Sequence, residues 1–180
     1  NMNVNEVIAT LATRAMQSGS ALSVRLHPND DVNMGQSSND VFPSAMHMAV
    51  VSQTTRDLLP ALTYLRTELA AKAVQFADIV KIGRTHLQDA TPVRLGQEFG
   101  AYEAQLQLCE EQIRHALLAV FALPIGGTAV GTGLNTHPEF GARVTRMLAE
   151  HLGLPLRRAD NLFAAMAGHE ALVALHGGLK

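Results

Sequence analysis

Three polar stretches carry the side chains whose types and spacing suit chemistry. The first reads His27-Pro28-Asn29-Asp30-Asp31-Val32-Asn33-Met34-Gly35-Gln36-Ser37-Ser38-Asn39-Asp40. Ser37, Ser38 and Asn39 stand directly before a helical pattern. With the free N–H groups of a first helical turn, their side chains would make a cradle for an anion. The plainer reading is that Asn39 or Asp40 merely caps the helix. A cap needs one such residue, and here there is a cluster.

The second stretch reads Lys81-Ile82-Gly83-Arg84-Thr85-His86-Leu87-Gln88-Asp89-Ala90-Thr91-Pro92. Of the eight His residues, His86 is the best acid/base candidate. It sits between long helical patterns, beside hydroxyl and amide groups that would orient an imidazole. An ordinary polar-loop His is the plain alternative. The other His residues read blandly: His47, His115 and His151 within helices, His137 in a cap. His169 and His176 share a helix face, but residue 173 is Val where a zinc-protease motif places its second His. No other spacing suits a metal, so none is expected.

The third stretch, Gly126-Gly127-Thr128-Ala129-Val130-Gly131-Thr132-Gly133-Leu134-Asn135, has the look of a phosphate loop without its substance. Thr132 stands where a P-loop needs Lys, and the third Gly of a dinucleotide fingerprint is Thr136. These glycines are expected to supply positive φ and close backbone approach. Thr132 and Asn135 remain as lining candidates. A Ser hydrolase is a poor fit because no G-x-S-x-G elbow occurs. Asp30 and Asp31 are adjacent and would point apart, which does not suit glycoside cleavage.

These stretches need rigid elements to hold them. Five helices are expected. The first spans about Val4 to Gln17. The second starts after Asp40 as N-cap, tolerates Pro43 in its first turn, and is kinked or interrupted at Pro60. The third is the clearest: Leu95, Phe99, Tyr102, Leu106, Cys109, Ile113, Leu117 and Val120 step at bundle spacing. The fourth opens on a capping box, Thr136-His137-Pro138-Glu139, and closes at Gly153. The fifth begins near Asp160 and runs through Met166 and Val173. No stretch alternates well enough to predict a strand. The fold class is therefore all-α, a bundle of long helices, with the three polar stretches as unusually long connections.

Composition narrows the function classes. Only 17% of the 180 residues are charged, against about 25% in an ordinary soluble protein. The chain is thus expected to be part of a larger, oligomeric body, cut at both ends. A net charge of −2 argues against nucleic acid, which needs a basic face. The single Cys109 cannot form an internal disulfide, so a reducing compartment is the default. No apolar run approaches a bilayer span.

In this order, HPNDDVN at 27–33, QSSND at 36–40, GRTHLQDATP at 83–92, LGQEF at 95–99 and GGTAVGTGLNTHPEF at 126–140 resemble the fumarase/aspartase superfamily. The likeness covers essentially the whole chain and is greatest to its class II fumarase branch. His86 separates the near relatives, since aspartases typically carry Gln there. The resemblance implies that residues 1–180 are the central helical domain, incomplete, of a homotetramer with a twenty-helix core. It implies active sites shared between three subunits, reversible hydration of fumarate to L-malate, and no metal or organic cofactor. It also implies a cytoplasmic location, or the mitochondrial matrix in a eukaryote, with neither membrane nor nucleic-acid partners.

Residue by residue, Ser37, Ser38, Asn39 and Thr85 match groups that hold the substrate carboxylates. His86 matches the His that works through a bound water as acid/base. His27, Pro28, Asn29 and Asp30 match a second, non-catalytic dicarboxylate site near the entrance. Val24-Arg25 and Met34-Gly35 depart from the family's usual residues around that second site. The family's catalytic Ser loop and its SGT segment have no counterpart here. The chain alone is therefore expected to be inactive. Two other readings stay open: another fumarate-releasing lyase such as aspartase, and a non-catalytic helical oligomerisation module.

Overall fold

The computed structural model describes residues 1–19 and 25–180. Its compact units are two: Asn1–Val50 with Val120–Glu170, and Val51–Ala119 with Ala171–Lys180. Among the described residues the elements are α1 (Met2–Gly19), α2 (Ser38–Gln53), α3 (Leu59–Gln75), β1 (Val80–Thr85), β2 (Gln88–Arg94), α4 (Leu95–Val120), β3 (Ala122–Leu123), α5 (Phe140–Leu152), β4 (Arg157–Arg158), α6 (Leu162–Ala167) and α7 (Glu170–Gly178). Helices dominate, as the apolar spacing requires. The third expected helix coincides with α4. Its C-terminal seam, Ile113, Leu117 and Val120, is buried, while Tyr102 on the same seam is 46% exposed.

In the first unit, Leu123, Ile125, Leu154, Leu156, Ala159 and Leu162 are buried. The two-residue strands β3 and β4 pair in parallel. The α1 helix is tied to the 27–40 stretch by Asn5, whose buried amide donates to Asn33 Oδ1 at 2.9 Å. His47, on α2, is buried, and its Nδ1–H donates to the Val120 carbonyl at 2.9 Å.

The second unit buries Val51, Leu59, Ile113, Leu117 and Leu175. The Phe76, Phe99 and Tyr102 rings stack edge to face, with centroids 5.1 and 6.0 Å apart. This geometry suits the ring quadrupoles and fastens the end of α3 to the start of α4.

The stretch from 80 to 94 is an antiparallel hairpin, not a strandless loop: Val80 pairs with Arg94 and Thr85 with Gln88, with an irregularity between Ile82 and Arg84. The strands escape a pattern reading because their faces are mostly exposed and Pro92 sits inside β2. Helix α2 starts at Ser38, so Asp40 lies inside its first turn and is not the cap. Pro43 lies beyond that turn, leaving the Asn39 carbonyl without its helical N–H.

The interruption expected at Pro60 takes the form of a π-helical turn, Thr54–Leu58, closed by the Leu59 N–H on the Thr54 carbonyl. Pro60 follows as the second residue of α3; the backbone stays helical through Leu58 and Leu59, so the wider turn lies just upstream of the ring that removes an N–H. The capping box at 136–139 does not form. Thr136 Oγ1 donates to the Gly133 carbonyl at 2.7 Å, Glu139 pairs with Arg143, and α5 begins only at Phe140. The Gly153 stop does form, at φ +64°. The last expected helix is two, capped by Asn161 and broken at the extended Gly168.

Candidate active site

The first unit brings two of the three polar stretches together. Ser37 ends the connection: its carbonyl accepts the Val41 N–H at 3.1 Å and its Oγ accepts the Asn39 N–H at 3.2 Å. Ser37 thus does the capping, as a short hydroxyl before a helix should. Ser38 and Asn39 are exposed at the opening turn. Among the described residues the Ser38 hydroxyl has no protein partner. Asn39 donates its side-chain amide to the Ala129 carbonyl at 2.7 Å, which orients the carboxamide. Its second N–H and its oxygen face no described partner.

Asp40 is the residue the sequence reading undervalued. It is fully buried. One carboxylate oxygen accepts the Ser37 N–H at 3.0 Å; the other accepts the N–H groups of Gly126 and Thr128 at 3.0 and 2.9 Å. The helix start and the glycine-rich stretch are thereby one body. The signal that could have found it was an acid three residues after a Ser cap, the reciprocal half of a capping box. Nothing in the pattern announced its second oxygen.

Across from this helix start the backbone is unusual. Gly126, Gly131 and Gly133 have positive φ, as expected, and so do Thr128 (+57°) and Asn135 (+61°). At Gly126 (φ +87°) a Cβ would stand 2.5 Å from the Gly141 Cα, so two chain segments touch there. A small cleft of about 290 Å³ is lined by Asn33 to Gln36, Thr128, Ala129, Leu134 and Asn135. Thr132, the other lining candidate, is exposed and outside it.

His27 to Asp30 form the start of a π-helical turn, Pro28–Val32. Asp31 accepts the His27 N–H at 2.7 Å, and the His27 Nδ1 lies 3.4 Å from the Asp30 N and 3.2 Å from its carboxylate. A cleft of about 530 Å³ beside them is lined by Arg14, Arg25, His27 and Pro28, among others. Asn29 and Asp30 are exposed and do not line it. Val24, named above with this site, lies outside the described residues.

In the second unit, Thr85 and His86 are exposed at the hairpin tip. His86 (φ +49°) and Leu87 (φ +60°) are its two central residues. Two successive positive φ values in a two-residue connection define a type I′ turn, which favours Asn-Gly. Left-handed backbone at His-Leu costs about 1–2 kcal/mol per residue. Strain of this kind concentrates at functional sites. Leu87 is 98% exposed, so no packing among the described residues explains it.

Elsewhere in this unit, Glu110 is buried on α4. Its carboxylate accepts from Arg114 at 2.6 Å and Thr63 at 2.9 Å, with Arg66 at 3.8 Å. The Arg114 hydrogen bond, against the opposing effect of burial, holds this carboxyl below its usual range. Among the described residues no cluster of His, Cys, Asp and Glu suits a metal, and no helix is long and apolar enough to cross a membrane.

The chain is mainly helical, with Ser38 and Asn39 exposed at a helix start in one unit and a left-handed His86-Leu87 turn in the other. A family model described as lyase matches residues 1–180, and the chain belongs to that lyase family. It is 57% identical over 180 residues to the class II fumarate hydratase of Chromobacterium violaceum, covering 100% of this chain and 39% of that protein. The class II fumarase from Schistosoma mansoni superposes with a TM-score of 0.89 at 41% identity, over 98% of this chain and 40% of that one. A fumarate lyase:delta crystallin from Brucella melitensis gives 0.84 at 37% identity, over 98% and 38%. The chain thus spans about two fifths of the length of the relatives it matches.

Proposed function

We propose that the complete protein is a fumarate hydratase, interconverting fumarate and L-malate. The observation that carries this reading is the 57% identity to a class II fumarate hydratase along the entire chain. Hydration forms a C–O bond at one alkene carbon and a C–H bond at the other. In the reverse direction, losing the C3 proton of malate drives charge onto the neighbouring carboxylate. Ser37, Ser38, Asn39 and Thr85 are the neutral donors assigned to the substrate carboxylates. Donors fixed before charge develops stabilise it most, and removing one such donor costs about 10²–10³ in rate. Neutral donors also reconcile a net charge of −2 with a dianionic substrate. His86 is the acid/base, acting through a water at the hydroxyl-bearing carbon. Thr132 and Asn135 are assigned to the lining.

The same reading makes residues 1–180 the central domain of a cytoplasmic homotetramer whose active sites draw on three subunits. The exposed Tyr64, Val74, Leu108 and Leu118 on α3 and α4 support it, since apolar helix faces of this kind call for partner helices. His27, Pro28, Asn29 and Asp30 are assigned to a second dicarboxylate site, with Arg14 and Arg25 supplying positive charge nearby. The test is an assay of the complete protein with malate and with aspartate. Turnover of malate to fumarate supports the hydratase; release of ammonia from aspartate, without malate turnover, replaces it with an aspartase.

A further inference from the structure

We propose that Asp40 is a positioning residue for dicarboxylate binding at the start of α2, a role that rests on the hydratase reading above. If Asp40 were only part of a helix cap, one carboxylate oxygen on the Ser37 N–H would suffice. Its second oxygen instead takes the N–H groups of Gly126 and Thr128, distant in the sequence. A fully buried carboxylate is expensive unless its lone pairs are filled. Here both oxygens are filled, by charge-assisted bonds from rigid backbone.

Thr128 shows what those bonds do. It is β-branched yet left-handed, at φ +57°. Its hydroxyl is buried without a hydrogen-bond partner among the described residues. Two unfavourable features in one residue persist only where the surroundings dictate them. Asp40 holds the N–H of this residue. The next residue, Ala129, presents the carbonyl that receives the Asn39 amide. The path is short: Asp40 sets Thr128, Thr128 sets the Ala129 carbonyl, and that carbonyl sets which way the Asn39 carboxamide faces a ligand. Asp40 itself is buried, with both carboxylate oxygens taken by backbone N–H groups.

The experiment uses the complete protein and Asp40→Asn, which keeps volume and removes one acceptor oxygen. Its new NH₂ must oppose a backbone N–H on one side. Ser44→Ala is the control. Ser44 is fully buried and donates to the Asp40 backbone carbonyl at 2.6 Å, so its truncation perturbs the buried side of the same turn without touching the carboxylate. The readouts are KM for fumarate and the calorimetric Kd for succinate, which has no double bond to hydrate, at temperatures where each protein is folded.

Asp40→Asn is expected to raise both by about tenfold or more, while Ser44→Ala leaves both within about twofold. A lowered melting temperature with unchanged KM and Kd overturns the proposal. If Asp40→Asn fails to fold, Asp40→Glu takes its place: it keeps the charge but displaces both oxygens from the Ser37, Gly126 and Thr128 N–H groups, and unchanged KM and Kd there overturn the proposal too. Should the wild type not hydrate fumarate while Asp40→Asn still weakens succinate, the hydratase reading falls and the positioning role stands. A wild type that neither hydrates fumarate nor binds succinate removes both.

Discussion

The side-chain amide of Asn39 donates to the Ala129 carbonyl at 2.7 Å. One N–H is thereby committed to the protein, which presents the rest of the carboxamide in a fixed orientation. Asn39→Asp is expected to be worse than Asn39→Ala. The acid would face the Ala129 carbonyl without a donor and would repel a dianion. In the complete protein, kcat/KM for fumarate should fall about 10²–10³-fold for the alanine variant and further for the aspartate. Steady-state kinetics at matched ionic strength check the order.

His86→Asn separates stability from chemistry. Asn is the residue type I′ turns favour at this position, so the hairpin tip should be no less stable, and the melting temperature should hold or rise. Hydration should fall by about 10²–10⁴-fold, the usual worth of a general acid/base. A variant with wild-type turnover would remove His86 from the acid/base role and leave the hairpin tip as scaffold.

Two glycines with similar φ should respond differently to alanine. At Gly153 a Cβ meets nothing within 4 Å, so Gly153→Ala bears only the left-handed backbone, about 1–2 kcal/mol. At Gly126 the same φ penalty is joined by contact with the Gly141 backbone. Gly126→Ala should therefore destabilise by more than the Gly153 variant, clearly beyond about 2 kcal/mol. Chemical denaturation of the two variants makes the comparison.

Glu110 gives a pH dependence with a definite sign. Its folded carboxyl titrates below its ordinary value of 4.5, chiefly through Arg114. A lowered folded pKa adds stability above the unfolded value, and that stability is lost as pH falls through the folded one. Wild type should thus lead Glu110→Gln at pH 7, with the lead shrinking as pH drops below about 4.5. Denaturation midpoints between pH 7 and 3 test this.

Much of the scaffold was legible. The α4 seam was read from Leu95 to Val120 because packing and periodicity agree there, and Gly153 marked its helix end because a left-handed stop favours glycine. The hairpin was not legible. Its turn is His86-Leu87, the opposite of the Asn-Gly that would have signalled it, and its strands bury little. At the helix start, which residue caps and which clamps depends on Asp40 reaching Gly126 and Thr128, a distant pairing no local spacing encodes. Pro60 was seen as a disturbance, yet the disturbance sits upstream as a π-helical turn, where the chain has room to absorb it.

The turn at His86 and Leu87 joins paired Thr85 and Gln88 directly. A connection of two residues has no slack. An added residue would have to be taken up as a bulge, as the irregularity between Ile82 and Arg84 already does in this ladder, or it would change which face each side chain of a strand meets. Change around the imidazole is therefore simplest by exchange of residues, while a longer tip carries the further task of rebuilding the pairing below it.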